Sequence, residues 1–245
     1  MAGARSRTPR RLGYHIPMSP ASSGGMRVAF FGGSFDPPHL GHVAIALAAQ
    51  QALRLNRVLF APVGLQPLKP SGPAASFEDR VAMTRLAIAN HPGLDISLAD
   101  APRPSSAVPN FTFDTLTTLR ETLPKESQLF LLLGADSFRT LRHWHRAAEL
   151  PFLANLIVAS RPKEDLGDLS VILPPGVAIE PLPGQPNQYR LTGNGGELSQ
   201  LTILPDLHYD ISGTQLRNQI HGEAGNPPLL DPAVLEYIHQ HHLYE

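Results

Sequence analysis

The sequence predicts an α/β fold, an open and mostly parallel sheet with helices on both faces. Two observations carry that prediction. Short apolar runs such as RVAFF, RVLFA, LFLLL and NLIVA have the composition of strands buried on both sides. Between them lie stretches with apolar residues at helical spacing, and such alternation builds a parallel sheet through right-handed crossovers.

The elements follow in order. Arg27–Phe31 is the first strand, and Leu40–Leu53 is an alanine-rich helix behind it. Arg57–Ala61 is the second strand. Ser76–Asn90 opens with Ser-Phe-Glu-Asp, a cap followed by acids in the first turn, and stops before His91-Pro92-Gly93. Leu94–Leu98 is a further strand, Thr112–Leu123 a helix, Leu129–Leu133 a central strand and Asn155–Ala159 another. Across Pro162–Pro205 the regularity fails. Prolines and glycines cluster there in PPGV, PLPGQPNQ and GNGGE between short β-like pieces, which predicts a long irregular insertion with a loose β-hairpin as one form of it. Two helices, Thr214–His221 and Pro232–His241, close the chain; no internal repeat or heptad run is present.

A chain of 245 residues, 42% of them apolar, supports one substantial core but not two large domains. Residues 26–245 are therefore expected to form one domain, with the Pro/Gly-rich insertion near residues 163–205. Residues 1–25 are rich in Arg, Ser, Pro and Gly and read as a disordered basic extension. Met26 stands directly before the first strand, so a later start is an alternative. The net charge of −1 gives no electrostatic argument for nucleic acid or membrane as a partner. Arg5, Arg7, Arg10 and Arg11 place +4 in the extension, leaving −5 on the rest. The absence of cysteine excludes disulfides and thiolate metal sites. No apolar run approaches the roughly 18–20 residues that span a bilayer, and the amino terminus lacks the apolar stretch of a secretory signal. A cytoplasmic location is expected.

The chemistry concentrates in Gly32–His42, GGSFDPPHLGH, which leaves the first strand and enters the first helix. Ligands of open parallel sheets bind beyond the carboxyl ends of strands. Gly32 and Gly33 let a ligand approach the main chain, Ser34 and Phe35 continue the turn, and the helix start offers N–H groups to an anion. Pro37 and Pro38 stiffen the segment. His39 and His42, at i and i+3, can face one side, and Gly41 between them leaves room for a nucleotide. Imidazoles beside a phosphate can stabilise charge that grows during phosphoryl transfer. Two other readings of the pair remain open at this point: a cap plus a packed core histidine, or a zinc site, for which no third ligand lies close in sequence. Near the carboxyl end, Ile211-Ser212-Gly213-Thr214 opens a helix carrying Arg217, a second anion site facing the first or an ordinary capped helix with a surface arginine.

Taken together, these segments resemble the HxGH nucleotidyltransferase superfamily, Rossmann-like in fold, and most closely its bacterial nicotinate-nucleotide adenylyltransferase branch. The resemblance runs from Met26 to Tyr244 and is weakest around Leu166–Leu201. Besides GGSFDPPHLGH it includes the PLKP turn at Pro67–Pro70, TFDTL at Thr112–Leu116, LLGADSF at Leu132–Phe138 and Trp144. It also includes IVASRP at Ile157–Pro162, ISGTQLR at Ile211–Arg217 and the ending VLEYIHQHHLY. The resemblance implies in-line attack of a mononucleotide phosphate on the α-phosphate of ATP, with His39, His42, Lys69 and Arg217 stabilising charge. It implies ATP contacts from Gly32, Gly33, Ser34, Phe35, Gly41, Asp136, Ile211, Ser212 and Thr214, and Mg²⁺ arriving with ATP rather than in a protein cage.

The departures from the family pattern gather where the acceptor belongs. Val63 stands where the family usually has Asn, Leu68 where it has His, Asn110-Phe111 where it has Ser-Tyr, and His145 where an aromatic often follows the Trp. Val63, Phe111, Thr112, Trp144 and His145 are thus the candidate acceptor contacts, with a pyridine mononucleotide as the expected acceptor. Trp144 is either a stacking platform or a packed aromatic. Competing functions are transfer to nicotinamide mononucleotide or phosphopantetheine, a non-catalytic nucleotide sensor, and a fragment of a class I aminoacyl-tRNA synthetase. The length and ending disfavour phosphopantetheine, and the missing lysine-rich second motif disfavours the synthetase. Oligomeric state is not legible.

Overall fold

A computed structural model describes residues 25–65, 72–102, 109–160, 166–205, 207, 212–221 and 229–245. The expected basic extension falls almost wholly outside the described residues. Eight strands form one sheet: β1 (Arg27–Gly33), β2 (Arg57–Pro62), β3 (Leu94–Ile96), β4 (Gln128–Gly134), β5 (Asn155–Ala159), β6 (Ala178–Pro181), β7 (Gln188–Thr192) and β8 (Leu198–Leu204). Their order is β3-β2-β1-β4-β5-β8-β7-β6. The first five and β8 run parallel, while β7 and β6 are antiparallel additions at one edge.

The helices are α1 (Leu40–Leu53), α2 (Phe77–Ile88), α3 (Thr112–Thr122), α4 (Ala135–Arg139), α5 (Leu150–Leu153), α6 (Leu169–Ile172), α7 (Gly213–His221) and α8 (Pro232–Gln240). They divide the apolar residues between two cores. On one face Ala29 and Phe31 of β1 pack with Val43 and Ala46 of α1, Met83 of α2, Leu216 of α7 and Val234 and Ile238 of α8. On the other, Val28 and Phe30 pack with Phe113, Leu116 and Leu119 of α3 and Leu150 of α5. Alternate residues of β1 thus serve opposite cores, as the period of a strand requires.

The stretch expected to be irregular instead supplies three strands. Its Pro/Gly clusters PLPGQPNQ and GNGGE hold the turns between them, and PPGV leads into β6; Gly193 N–H donates to Glu197 O at 2.9 Å and Gly196 N–H to Gly193 O at 3.0 Å, closing the β7–β8 hairpin. The turn residues are dense because the strands are short, and that density hid the alternation of Leu198–Leu204, whose burial switches along the strand. At the other edge β3 stops at Ile96, two residues before the expected end, and Leu98 is partly exposed.

Candidate active site

The strand order reverses direction between β1 and β4, and a crevice opens beyond their carboxyl ends, where such sheets bind ligands. It is a cavity of about 660 Å³. Its walls bring together sixteen of the residues singled out from the sequence, from Gly32, Gly33, Ser34, Phe35, His39, Gly41 and His42 to Val63, Phe111, Thr112, Asp136, Trp144, His145, Ser212, Thr214 and Arg217. Lys69 and Ile211 lie outside the described residues, as does Leu68.

His39 caps α1 in an extended conformation, and His42 sits one turn inside. Their rings stack at 3.7 Å with 30° between planes. His39 N–H donates to His42 Nδ1 at 3.2 Å, so His42 carries its proton on Nε2. Phe35, expected to touch ATP, is 2% exposed and lies edge-on to His42 at 5.0 Å, a wedge between that imidazole and Phe31 and Phe60. His39 is 7% exposed, and burial lowers its pKa to about 4. Burial, then the neighbouring His39, holds His42 well below the ordinary imidazole value. In the free site both rings are therefore neutral hydrogen-bonding groups rather than imidazolium ions. The Nδ1 of His39 is buried and has no hydrogen-bond partner among the described residues. An unpaired buried nitrogen costs about 1–3 kcal/mol, which a ligand that bonds to it recovers.

Arg217 faces this pair from α7. Its Nη1 donates to Asp36 O at 2.6 Å and its Nη2 to Thr214 Oγ1 at 3.1 Å. Ser212 and Gln215 cap α7 reciprocally: Ser212 N–H donates to Gln215 Oε1 at 2.8 Å, and Gln215 N–H to Ser212 Oγ at 3.2 Å. The ordinary reading of Ser212 as a cap therefore holds, and the cap is what lets the helix start face the cavity. A side chain at Gly213 would place its Cβ 2.9 Å from Asp36 O, so only glycine lets α7 approach this closely.

Three supports were not legible as site residues. Asp36, 6% exposed, accepts from Ala74 N–H at 2.6 Å and Ala75 N–H at 3.1 Å. Tyr244, beyond α8, donates its hydroxyl to Asp36 Oδ1 at 2.7 Å. Arg80, 1% exposed, donates to Ser34 O at 2.7 Å, Val63 O at 2.9 Å and Ala75 O at 3.3 Å, tying the loop after β1 to the end of β2 and the approach to α2. A signal for Arg80 existed: it lies on the buried stripe of α2 with Met83, Thr84 and Ala87. Asp36 sat unremarked inside the motif, and Tyr244 inside the ending VLEYIHQHHLY, neither singled out as a site residue.

The far end of the cavity is built differently. Phe111 and Thr112 begin α3, and Phe111 pairs with the exposed His145 ring at 4.5 Å. Trp144 is half-buried and lines the cavity, and its indole N–H donates to Thr140 Oγ1 at 3.1 Å, which fixes the ring's orientation. Asn110, 5% exposed, is spent on structure: its side chain accepts from Leu65 N–H at 3.3 Å and donates to Ala101 O at 3.1 Å. Asp136 is exposed at the start of α4, 3.7 Å from Arg139. Among the described residues no helix is long and apolar enough to cross a membrane, and none group as a cluster of three or more metal-ligating side chains.

A parallel sheet with an anion-ready crevice at its switch point, stacked histidines on one side and an arginine on the other, defines a nucleotidyltransferase, and the cytidylyltransferase-like family matches residues 30–219. A probable nicotinate-nucleotide adenylyltransferase of Laribacter hongkongensis is 38% identical over 217 residues, 89% of this chain and 94% of that protein. One from Gloeobacter violaceus is 38% identical over 222 residues, 90% of this chain and 97% of that protein. The chain belongs to the nicotinate-nucleotide adenylyltransferase family. The solved structure of Plasmodium falciparum nicotinic acid mononucleotide adenylyltransferase complexed with NaAD superposes with a TM-score of 0.65 at 17% identity, covering 89% of this chain and 97% of its own, which shows the shared fold.

Proposed function

We propose that this enzyme transfers AMP from ATP to nicotinate mononucleotide, forming deamido-NAD and pyrophosphate for NAD biosynthesis in the cytoplasm. The observation that carries the reading is that the stacked His39–His42 pair and Arg217 line one cavity together with the aromatic rings of Phe111, Trp144 and His145. An oxygen of the acceptor phosphate attacks the α-phosphorus of ATP as the bond to the β-phosphate bridging oxygen breaks, so pyrophosphate leaves and no enzyme-bound intermediate forms. The acceptor phosphate is already anionic at neutral pH, so no general base is required. Catalysis then rests on alignment and charge stabilisation. His42, its proton on Nε2, donates to the transferring phosphate, and the unpaired nitrogen of His39 takes part beside it. Arg217 and the capped start of α7 hold the outgoing pyrophosphate, with Lys69 assigned to the same charge by resemblance alone. Asp136 binds the nucleotide through its ribose.

Mg²⁺ fits this site only as a partner of the triphosphate. The buried Asp36 carboxylate is already committed to two N–H groups and the Tyr244 hydroxyl. The ion would be held by phosphate oxygens and water, and it supplies charge neutralisation there. At the acceptor end Trp144 stacks on the pyridine ring, and Val63, Phe111, Thr112 and His145 enclose it.

The test is purified enzyme with ATP, Mg²⁺ and separate acceptors, read by pyrophosphate release. Nicotinate mononucleotide is expected to give the highest kcat/KM, ahead of nicotinamide mononucleotide and phosphopantetheine. Preference for nicotinamide mononucleotide would move the assignment to that acceptor. Silence with both pyridine mononucleotides would overturn it.

A further inference from the structure

Asp36 gathers groups from three distant segments of the chain. Ala74 and Ala75 reach its carboxylate from the approach to α2, Tyr244 from beyond α8, and Arg217 of α7 holds its carbonyl. The Arg217 guanidinium and the Asp36 carboxylate are close but not closed: Nη1 lies 3.6 Å from Oδ2. A buried carboxylate with fewer other donors would turn fully onto that guanidinium, since a charge-assisted bond is the strongest replacement within reach. The Tyr244 hydroxyl is a dependable donor, because burial and then the Asp36 charge push its pKa far above the ordinary phenol value.

We propose that Tyr244 is a positioning residue for adenylyl transfer: by occupying the Asp36 carboxylate it keeps Arg217 available to the polyphosphate. The idea rests on the reading of Arg217 as a phosphate contact. Arg217 spends two of its N–H donors on Asp36 O and Thr214, and the residue lines the cavity. Tyr237, on α8, offers a matched control. Its hydroxyl also donates to a carboxylate, Asp79 of α2, at 2.9 Å, but that contact docks the helix and lies outside the cavity.

The experiment measures steady-state kinetics, ATP affinity by calorimetry and thermal melting for Tyr244→Phe, Tyr237→Phe, Arg217→Ala and the Tyr244→Phe/Arg217→Ala double variant. Tyr244→Phe is expected to raise KM and Kd for ATP about tenfold, the scale of one hydrogen bond to a charged group, while KM for the acceptor stays unchanged. In the Arg217→Ala background the same change should have no further effect on ATP. Tyr237→Phe should lower the melting temperature without moving ATP affinity. Equal effects of the two tyrosine variants on ATP, or an undiminished effect of Tyr244→Phe without Arg217, would overturn the positioning role while leaving the phosphate role of Arg217 intact. Unaltered ATP affinity and turnover in Arg217→Ala would overturn both.

Discussion

The two ends of the cavity are made from different materials. At the end proposed to hold the phosphates, the His39–His42 pair and Arg217 stand among buried supports: His39 is 7% exposed, Asp36 6%, and Arg80 1%. The bonds of Asp36 to Ala74, Ala75 and Tyr244, of Arg80 to Ser34 and Val63, and of Arg217 to Asp36 O tie together segments far apart in the chain, so the geometry is fixed before substrate arrives. At the proposed acceptor end His145 is exposed, Trp144 is half-buried, and the walls include the starts of α3 and α4. Rigid support suits a step in which charge must be met by pre-aimed donors. A looser aromatic wall suits recognition of a flat ring and tolerates substitution. The sequence departures fall accordingly: Val63, Phe111 and His145 vary from the family pattern while GGSFDPPHLGH stands whole.

That contrast can be broken most severely at His42. His42→Ala should lower kcat by about a thousandfold or more, the scale of losing a preorganised donor to a transition-state oxygen, with ATP affinity by calorimetry within tenfold of the parent. Turnover unchanged by this substitution would remove the proposed mechanism. Next is Arg80→Ala, which strips three carbonyls of their donor and should destabilise the fold by about 3–5 kcal/mol, measured by urea unfolding. A loss under about 1 kcal/mol would show that the phosphate end is not braced as described.

The buried histidines also predict acid sensitivity. The folded pKa of His39 is about 4, below the ordinary 6.5, so the unfolded chain binds more protons between those values. Stability from this group is complete above about pH 6.5 and falls as the pH drops towards 4, by on the order of 3 kcal/mol. Melting followed from pH 7 to 4 should show the slope, and His39→Asn should flatten it. An identical slope in that variant would place the acid sensitivity elsewhere. The smallest effect belongs to the acceptor end: Trp144→Ala should raise KM for the mononucleotide about tenfold with kcat nearly unchanged, as loss of stacking does.

What the sequence made legible follows the same division. The apolar strands and the motif after β1 were readable because burial on both faces and a turn rich in Gly and Pro leave local signatures. A loose hairpin of short β-like pieces was readable in the Pro/Gly-rich stretch, but not three strands β6, β7 and β8 joined to the main sheet, because turn residues outnumbered the short alternating runs between them. Asp36 and Tyr244 meet across most of the chain, a contact without local trace. The ionisation of His39 and His42 was equally hidden: spacing put both on one side of a helix, and only their burial, that of His42 against Phe35 and Phe31, shows why they are neutral.

The division of labour between the two ends is tested most directly by kcat and KM for nicotinate mononucleotide in the parent enzyme, His39→Asn and Trp144→Ala. His39→Asn is expected to lower kcat and leave KM for the mononucleotide within about twofold, whereas Trp144→Ala raises that KM at nearly constant kcat. A KM raised by His39→Asn at unchanged kcat, or a kcat lost in Trp144→Ala at unchanged KM, would contradict it.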